Sequence, residues 1–241
     1  ATIEGQRAQS VSLTGLSQRG GATGYYVELA AGERKDEAIF CQYPVPGHVD
    51  VLIGQELLEM ARAVEQGLTS STSTVITSSN RLLSTPEKIP AGGGVMDTDE
   101  LLAFGERFAG RFIGFDAVAL AHRHGLDEIY ANSILLGALA AADTVGISRQ
   151  SFEEAIRHAG IAADNNMRAF HLGYEHVRSG SYLEQPAQPE ITAQQRAEAN
   201  AAQLTKRKQH QYRELFDSTS SYPENLRAIF AEALYRLIDY Q

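Results

Sequence analysis

A short, unbroken apolar run, VDVLI at residues 49–53, leads through Gly54 into QELLEMARAVEQGL, where Leu57, Leu58, Ala61, Val64 and Leu68 recur at helical spacing. TVITSS at residues 74–79 then restores strand character. A strand without a polar face has to be covered on both sides. A parallel sheet with helices packed on each face does this. The passage therefore restricts the chain to an α/β architecture, and the strands 49–53 and 74–79 are predicted to be adjacent or near-adjacent central strands of its sheet.

The flanking sequence extends the same reading. Residues 7–13 and 22–29 read as strands, the second rich in Tyr, Val and Leu. DTDELLAFGERFAG opens with Asp97 and Glu100 at the spacing of a helix capping pair, residues 111–113 form a brief strand, and DAVALAHRHG a short helix. From Asp127 onward only helices are predicted. EIYANSILLGALAAADTVG is apolar on nearly all sides, as a buried helix must be, and SRQSFEEAIRHAG and DNNMRAFHLGYEHVRSG each open on a capping residue. The expected fold is α/β, a doubly wound, mostly parallel, Rossmann-like sheet with a C-terminal helical extension.

Residues 1–180 read as the α/β domain and 181–191, with two prolines and no periodicity, as a linker. Residues 192–241 read as the start of a helical C-terminal region, opened by the pair Thr192 and Gln195 and, for the last helix, by Ser221 and Glu224. At this length the tail is not expected to build a core of its own. Neither end carries a start or stop signal, so both are expected to continue in a longer polypeptide.

Charge and cysteine content narrow the function. The 241 residues carry a net charge of −9, which argues against nucleic acid, since phosphate neutralisation needs clustered Lys and Arg. The charge is uneven: residues 1–191 hold 14 Lys and Arg against 24 Asp and Glu, net −10, whereas 192–241 hold 7 against 6, net +1. Cys41, in AIFCQY, is the sole cysteine, so the chain cannot form an internal disulfide, a multi-cysteine zinc site or an iron–sulfur cluster of its own. It is expected as a half-buried strand residue. No apolar run suits a signal peptide or a membrane span, and a cytoplasmic location is expected.

No complete catalytic constellation is legible. The G-x-G-x-x-G dinucleotide fingerprint, the P-loop and the G-x-S-x-G elbow are missing from these residues, and AGGGV at 91–95 follows a proline-rich loop rather than a strand. His122 and His124 fall on different sides of a helix, and His171 and His176 are five apart, which misses the i,i+4 spacing of paired metal ligands. Three places remain. In GLSQRGGATGYYVELA, Arg19 could hold an anion bidentately while Gly20 and Gly21 let backbone N–H groups approach; the alternative is a plain turn. Asn132 is a lone polar residue opening an apolar helix, a cap or core hydrogen-bond partner more often than a ligand, and Asn165 and Asn166 read as helix-end residues.

These segments, in this order, resemble the gamma-type domain of the 2-oxoacid:ferredoxin oxidoreductases. GLSQRGG resembles that family's G-x-[AS]-Q-R-G-G loop, and PVPGHVDVLIGQELLE its P-x-I-P-x-G-x-A-D-x-L-[IL]-G-x-E-x-L-E stretch. NSILLGA and NNMRAFHLG are similar to its N-x-x-[ML]-L-G-A and N-x-x-A-F-x-x-G segments, and YPENLRAIFAEALYRLIDYQ resembles the start of the extra C-terminal region in the long beta subunits of the indolepyruvate, or arylpyruvate, type. The family's opening strand and G-x-G-G-Q-G turn have no counterpart here, so nothing assigned to that turn is carried over.

The resemblance implies a subunit that carries no cofactor itself. Thiamine diphosphate, Mg2+ and 4Fe-4S clusters would sit on a catalytic alpha subunit, with ferredoxin as electron acceptor and a 2-oxoacid and coenzyme A as substrates. It also implies that Gln18, Arg19, Gly20 and Gly21, with Asn132, face the partner, an anion or coenzyme A rather than catalyse. Two other classes stand beside it: an α/β interaction module binding an anionic metabolite, and, with the fingerprint missing, a nicotinamide-dependent dehydrogenase fragment. The purified, partner-free chain is expected to carry neither stoichiometric iron nor thiamine diphosphate. Elemental analysis and cofactor extraction check this, and finding either group at one per chain refutes it.

Overall fold

The structure is a computed structural model that describes residues 2–14, 23–30, 37–81, 96–183 and 192–240. The chain divides after Glu184 into two compact units.

Unit 1 contains β1 (Ala8–Thr14), β2 (Thr23–Leu29), β3 (Val51–Gly54), α1 (Leu57–Glu65), β4 (Thr74–Ser78), α2 (Thr98–Arg107), β5 (Arg111–Phe115) and α3 (Ala117–Arg123). A single 3-10 turn then precedes α4 (Ala131–Ala142), α5 (Arg149–Ala159) and α6 (Ala163–Arg178). Strands β3, β4 and β5 form a parallel sheet in that order. The predicted neighbours, β3 and β4, pair directly, with Ile53 opposite Ile76 and Ile76 opposite Ile113.

Each sheet face has its own core, which makes the fold doubly wound. Ile76, Ile113 and Phe115 pack with Leu120 of α3, Ile134, Leu135 and Ala138 of α4, and Ala169 and Val177 of α6. On the opposite face Val75 packs with Leu57, Met60, Ala61 and Val64 of α1 and Leu101 of α2. Side chains alternate along a strand, so neighbouring residues of β4 feed opposite cores. Fully burying one such Val or Ile contributes about 1.5–3 kcal/mol.

Several expectations need correction. Burial on both faces holds for β4, all of whose residues are buried, but β3 lies at the edge of the described sheet and its Ile53 is 38% exposed. An edge strand has a neighbour on one side only, so its apolar composition does not guarantee cover. β1 and β2 do not extend the parallel sheet but form a separate antiparallel hairpin, from Ala8 opposite Leu29 to Thr14 opposite Thr23. Cys41 is exposed and outside any strand. Its segment straps the hairpin through backbone groups: Cys41 N–H donates to Glu28, and its carbonyl accepts from Gln9. Asp164 does not cap α6. That helix starts at Ala163, after Ala162 at φ 44°, and Asp164 falls within the first turn.

Other caps behave as their sequence indicates. Ser148 accepts from Ser151 N–H at the head of α5, and Asp97 from the N–H groups of Asp99 and Glu100 at the head of α2.

The closest helix contact in unit 1 is between α4 and α6. A Cβ at Gly137 would run into the backbone of Phe170 and Tyr174, and one at Gly173 into the backbone of Ile134. Two glycines facing each other thus let the helix backbones touch, and NSILLGA and NNMRAFHLG supply one each.

Unit 2 holds α7 (Ala193–Gln203), α8 (Lys206–Asp217) and α9 (Glu224–Tyr240). Contrary to expectation it has a core: Ala193, Ala197, Ala201 and Leu204 pack with Tyr212, Phe216, Ala231 and Ile238. Alanines four apart give α7 a smooth face that lets the neighbouring helices approach, and the two large rings of α8 fill the space. Tyr212 hydroxyl and Asn200 Nδ2 both donate to the Ala231 carbonyl, at 2.8 and 3.2 Å, so these two groups enter the core with a partner. Thr192 and Gln195 form a complete capping box at its head.

Gly137→Ala and Gly173→Ala are each expected to destabilise the chain by roughly 2–3 kcal/mol, because backbone rather than a movable side chain blocks the added methyl. Urea denaturation measures this; a loss below about 0.5 kcal/mol, the level of an ordinary surface substitution, would refute the contact.

Candidate functional site

Open α/β sheets bind ligands outside the carboxyl ends of their strands, so that edge is the first place to look. At the end of β3, Glu56 caps α1 with its own carboxylate, which accepts from Glu59 N–H at 3.1 Å. Leu57 N–H donates to the Asn80 carbonyl just beyond β4. Arg81 Nε lies 3.6 Å from Glu56 Oε1, each side chain only 12% exposed, and Arg81 also donates to the Met96 carbonyl at 2.7 Å. At the end of β5, Ala117 N–H donates to Ser78 Oγ at 3.0 Å and Ala119 N–H to Asp116 Oδ1 at 2.8 Å.

These bonds carry a chemical consequence. A helix start binds phosphate through N–H groups left free and a positive dipole end. At both described strand-to-helix junctions, β3 to α1 and β5 to α3, the chain's own oxygens accept N–H groups of the first turn; the caps, Glu56 and Asp116, are acidic, and Glu56 is already paired with Arg81. Neither junction suits a dinucleotide pyrophosphate. Asn80 Oδ1 is buried at this edge and has no hydrogen-bond partner among the described residues.

Gln18, Arg19, Gly20 and Gly21 fall on residues 15–22, and AGGGV on 91–95; both lie outside the described residues. Asn132 is exposed in the first turn of α4, where its Oδ1 accepts from Ser133 N–H at 2.7 Å. Ser133 Oγ donates to Asn166 Oδ1 at 2.7 Å, Asn166 Nδ2 to the Ile161 carbonyl, and Asn165 Nδ2 to the Tyr130 hydroxyl. The structure thus brings the asparagines of the two helical segments into one polar cluster beside the Gly137–Gly173 contact. Ser133 and Tyr130, which connect them, were not singled out from sequence, although both adjoin Asn132 within one helical turn. Glu56 and Arg81 carry no local signal, being 25 residues apart in the chain.

The histidines are dispersed. His122 and His124 are exposed. His171 Nε2 is 3.0 Å from Glu153 Oε1, which Arg149 Nε also reaches at 2.8 Å; that guanidinium holds the Glu153 carboxyl below its ordinary range. His176 packs its ring against Phe115, 4.8 Å between centroids, and burial, with Arg123 nearby, lowers its pKa. Among the described residues no three His, Cys, Asp or Glu side chains are grouped to hold a metal ion, and no helix is long and apolar enough to cross a membrane.

In this doubly wound α/β domain the described strand ends are closed by the chain's own side chains. The chain belongs to the pyruvate ferredoxin/flavodoxin oxidoreductase family, whose sequence profile matches residues 1–176. Among solved structures it is similar to the keto/oxoacid ferredoxin oxidoreductase gamma subunit from Geobacter sulfurreducens PCA, at 19% identity and a TM-score of 0.49, over 74% of this chain and 85% of that one. No curated protein matches the chain.

His176 supplies a pH test. Its folded-state pKa lies below the ordinary 6.5, so the unfolded chain binds more protons between the two values. Stability should therefore fall as pH drops below about 6.5 and level off beneath the folded value. His176→Gln is expected to flatten that part of the stability–pH curve; an unchanged slope would remove His176 as its source.

Proposed function

We propose that this chain is the subunit without cofactors in a 2-oxoacid:ferredoxin oxidoreductase of the indolepyruvate, or arylpyruvate, type. In such a complex a 2-oxoacid is oxidatively decarboxylated to its acyl-coenzyme A, and the electrons pass to ferredoxin. Thiamine diphosphate with Mg2+ and 4Fe-4S clusters would sit on the catalytic alpha subunit, where the former supplies the electron sink for the carbon left by decarboxylation. The observation that carries the reading is family membership over residues 1–176 in a chain with one cysteine. A single thiolate cannot ligate a cluster that takes four. The arylpyruvate assignment is supported by the resemblance of residues 222–241 to the long beta subunits of that type.

Within this reading Gln18, Arg19, Gly20 and Gly21 form the docking element. An arginine side chain is a planar fork of N–H donors suited to a carboxylate or phosphate, and glycines next to it in sequence are the residue type that allows backbone N–H groups to approach such an anion. Asn132 is given a contact role of its own, since it is exposed and its Oδ1 already accepts from Ser133 N–H. The chain's work is to complete the assembly and shape the approach of coenzyme A or substrate.

Arg19→Ala tests the assignment. Loss of a charge-assisted bidentate contact costs about 1.5–3 kcal/mol, roughly ten- to a hundredfold in affinity for the alpha subunit or in apparent KM for coenzyme A. The melting temperature of the isolated chain should stay unchanged. A variant that assembles and turns over normally but melts much earlier would make Arg19 a structural brace. A colourless chain that never recovers an iron-containing partner on co-purification would favour the stand-alone metabolite-binding module.

A further inference from the structure

The β1–β2 hairpin is a two-stranded sheet, a unit that is marginally stable by itself and has to be fastened to something larger. On one side the strap at Cys41 does this through Glu28 and Gln9, with the Arg7 guanidinium 5.5 Å from the centre of the Phe40 ring. On the other, the 3-10 turn Thr2–Glu4 precedes β1 and reaches across to the head of α5. There Glu4 Oε1 accepts from Ser148 N–H at 2.9 Å, Ser148 Oγ at 2.7 Å and Ser151 Oγ at 2.6 Å. These bonds join residues 144 and 147 positions apart in the chain.

We propose that Glu4 is a latch: its carboxylate, seated on the first turn of α5, fastens the hairpin to the helical layer, and undoing it frees the hairpin while the parallel-sheet core stays folded. Three features support a latch over an incidental surface contact. All three donors converge on one oxygen, so the contact is made or lost as a unit. The carboxylate sits where the α5 dipole favours negative charge. The hydroxyls of Ser151 and Ser148 and the Ser148 N–H hold the Glu4 carboxyl at about 2 against an ordinary 4.5, so it is ionised throughout the neutral range. The core does not share this contact: β4 is buried along its length and takes its hydrogen bonds from β3 and β5.

Amide hydrogen exchange on the full chain reads the latch without any partner or activity. In Glu4→Gln the hairpin amides, Val11 and Tyr26 among them, are expected to exchange about three- to tenfold faster, the worth of a hydrogen bond or so, while Val75 and Ile76 of β4 keep their rates. Ser151→Ala, approaching the contact from the α5 side, should do the same in smaller measure. The double variant should be no faster than Glu4→Gln alone, because both act on one contact. Unchanged hairpin rates would overturn the proposal, as would β4 amides accelerating in step with the hairpin or fully additive effects in the double variant.

Discussion

Burial of β4 on both faces is the constraint on which unit 1 depends. Val75 belongs to the core under α1 and α2, while Ile76, its neighbour in the chain, belongs to the core under α3, α4 and α6. A slip of one residue would exchange the two sets, so the parallel register from Ile53 through Ile76 to Ile113 has little freedom. With β4 held, β3 and β5 are placed by backbone pairing, and the helices following each strand are returned to the faces whose apolar side chains need cover. The polar bonds at the strand ends follow from the same placement. Ser78 and Asn80 can meet the first turns of α3 and α1 only because β4 runs between the strands that feed them.

The contact of α4 with α6 plays a corresponding part in the helical layer. Glycine at 137 and 173 permits backbone-to-backbone approach, and the bonded cluster of Asn132, Ser133, Asn165, Asn166 and Tyr130 joins the same two helices. A polar cluster beside a glycine crossing favours one alignment of the pair, since sliding either helix would break the hydrogen bonds and bring Cβ atoms against backbone. Asparagines that read in the sequence as a cap or core partner and as helix-end residues are thereby given packing work, and Asn132 is the exposed member of the group.

Chemically, the domain is defined by what its own groups already satisfy. The described strand-to-helix junctions are capped by Glu56 and Asp116, and the histidines are exposed, paired with a carboxylate, or packed on a ring. The acidic body of residues 1–191 and the near-neutral tail follow the division into units, and unit 2 adds a small aromatic core with Tyr222, Leu226 and Leu237 left exposed.

The sequence by itself determined the α/β class, the pairing of residues 49–53 with 74–79, and most helix starts, because these depend on local periodicity and on caps whose partners lie within three residues. Ser148, Asp97 and the Thr192–Gln195 box are legible for that reason. It also bounded the chemistry, since one cysteine is a count rather than a conformation. Tertiary structure decided the rest. Cys41 reads as a strand residue and Ile53 as fully covered, yet the exposure of each depends on neighbours remote in the chain: the hairpin strapped by the Cys41 segment, and the position of β3 at the edge of the described sheet. The Glu56–Arg81 pair, the Glu4 contact with Ser148 and Ser151, and the core of unit 2 were likewise invisible. Each joins residues whose separation is fixed by how helices and strands pack, and no local pattern records that distance.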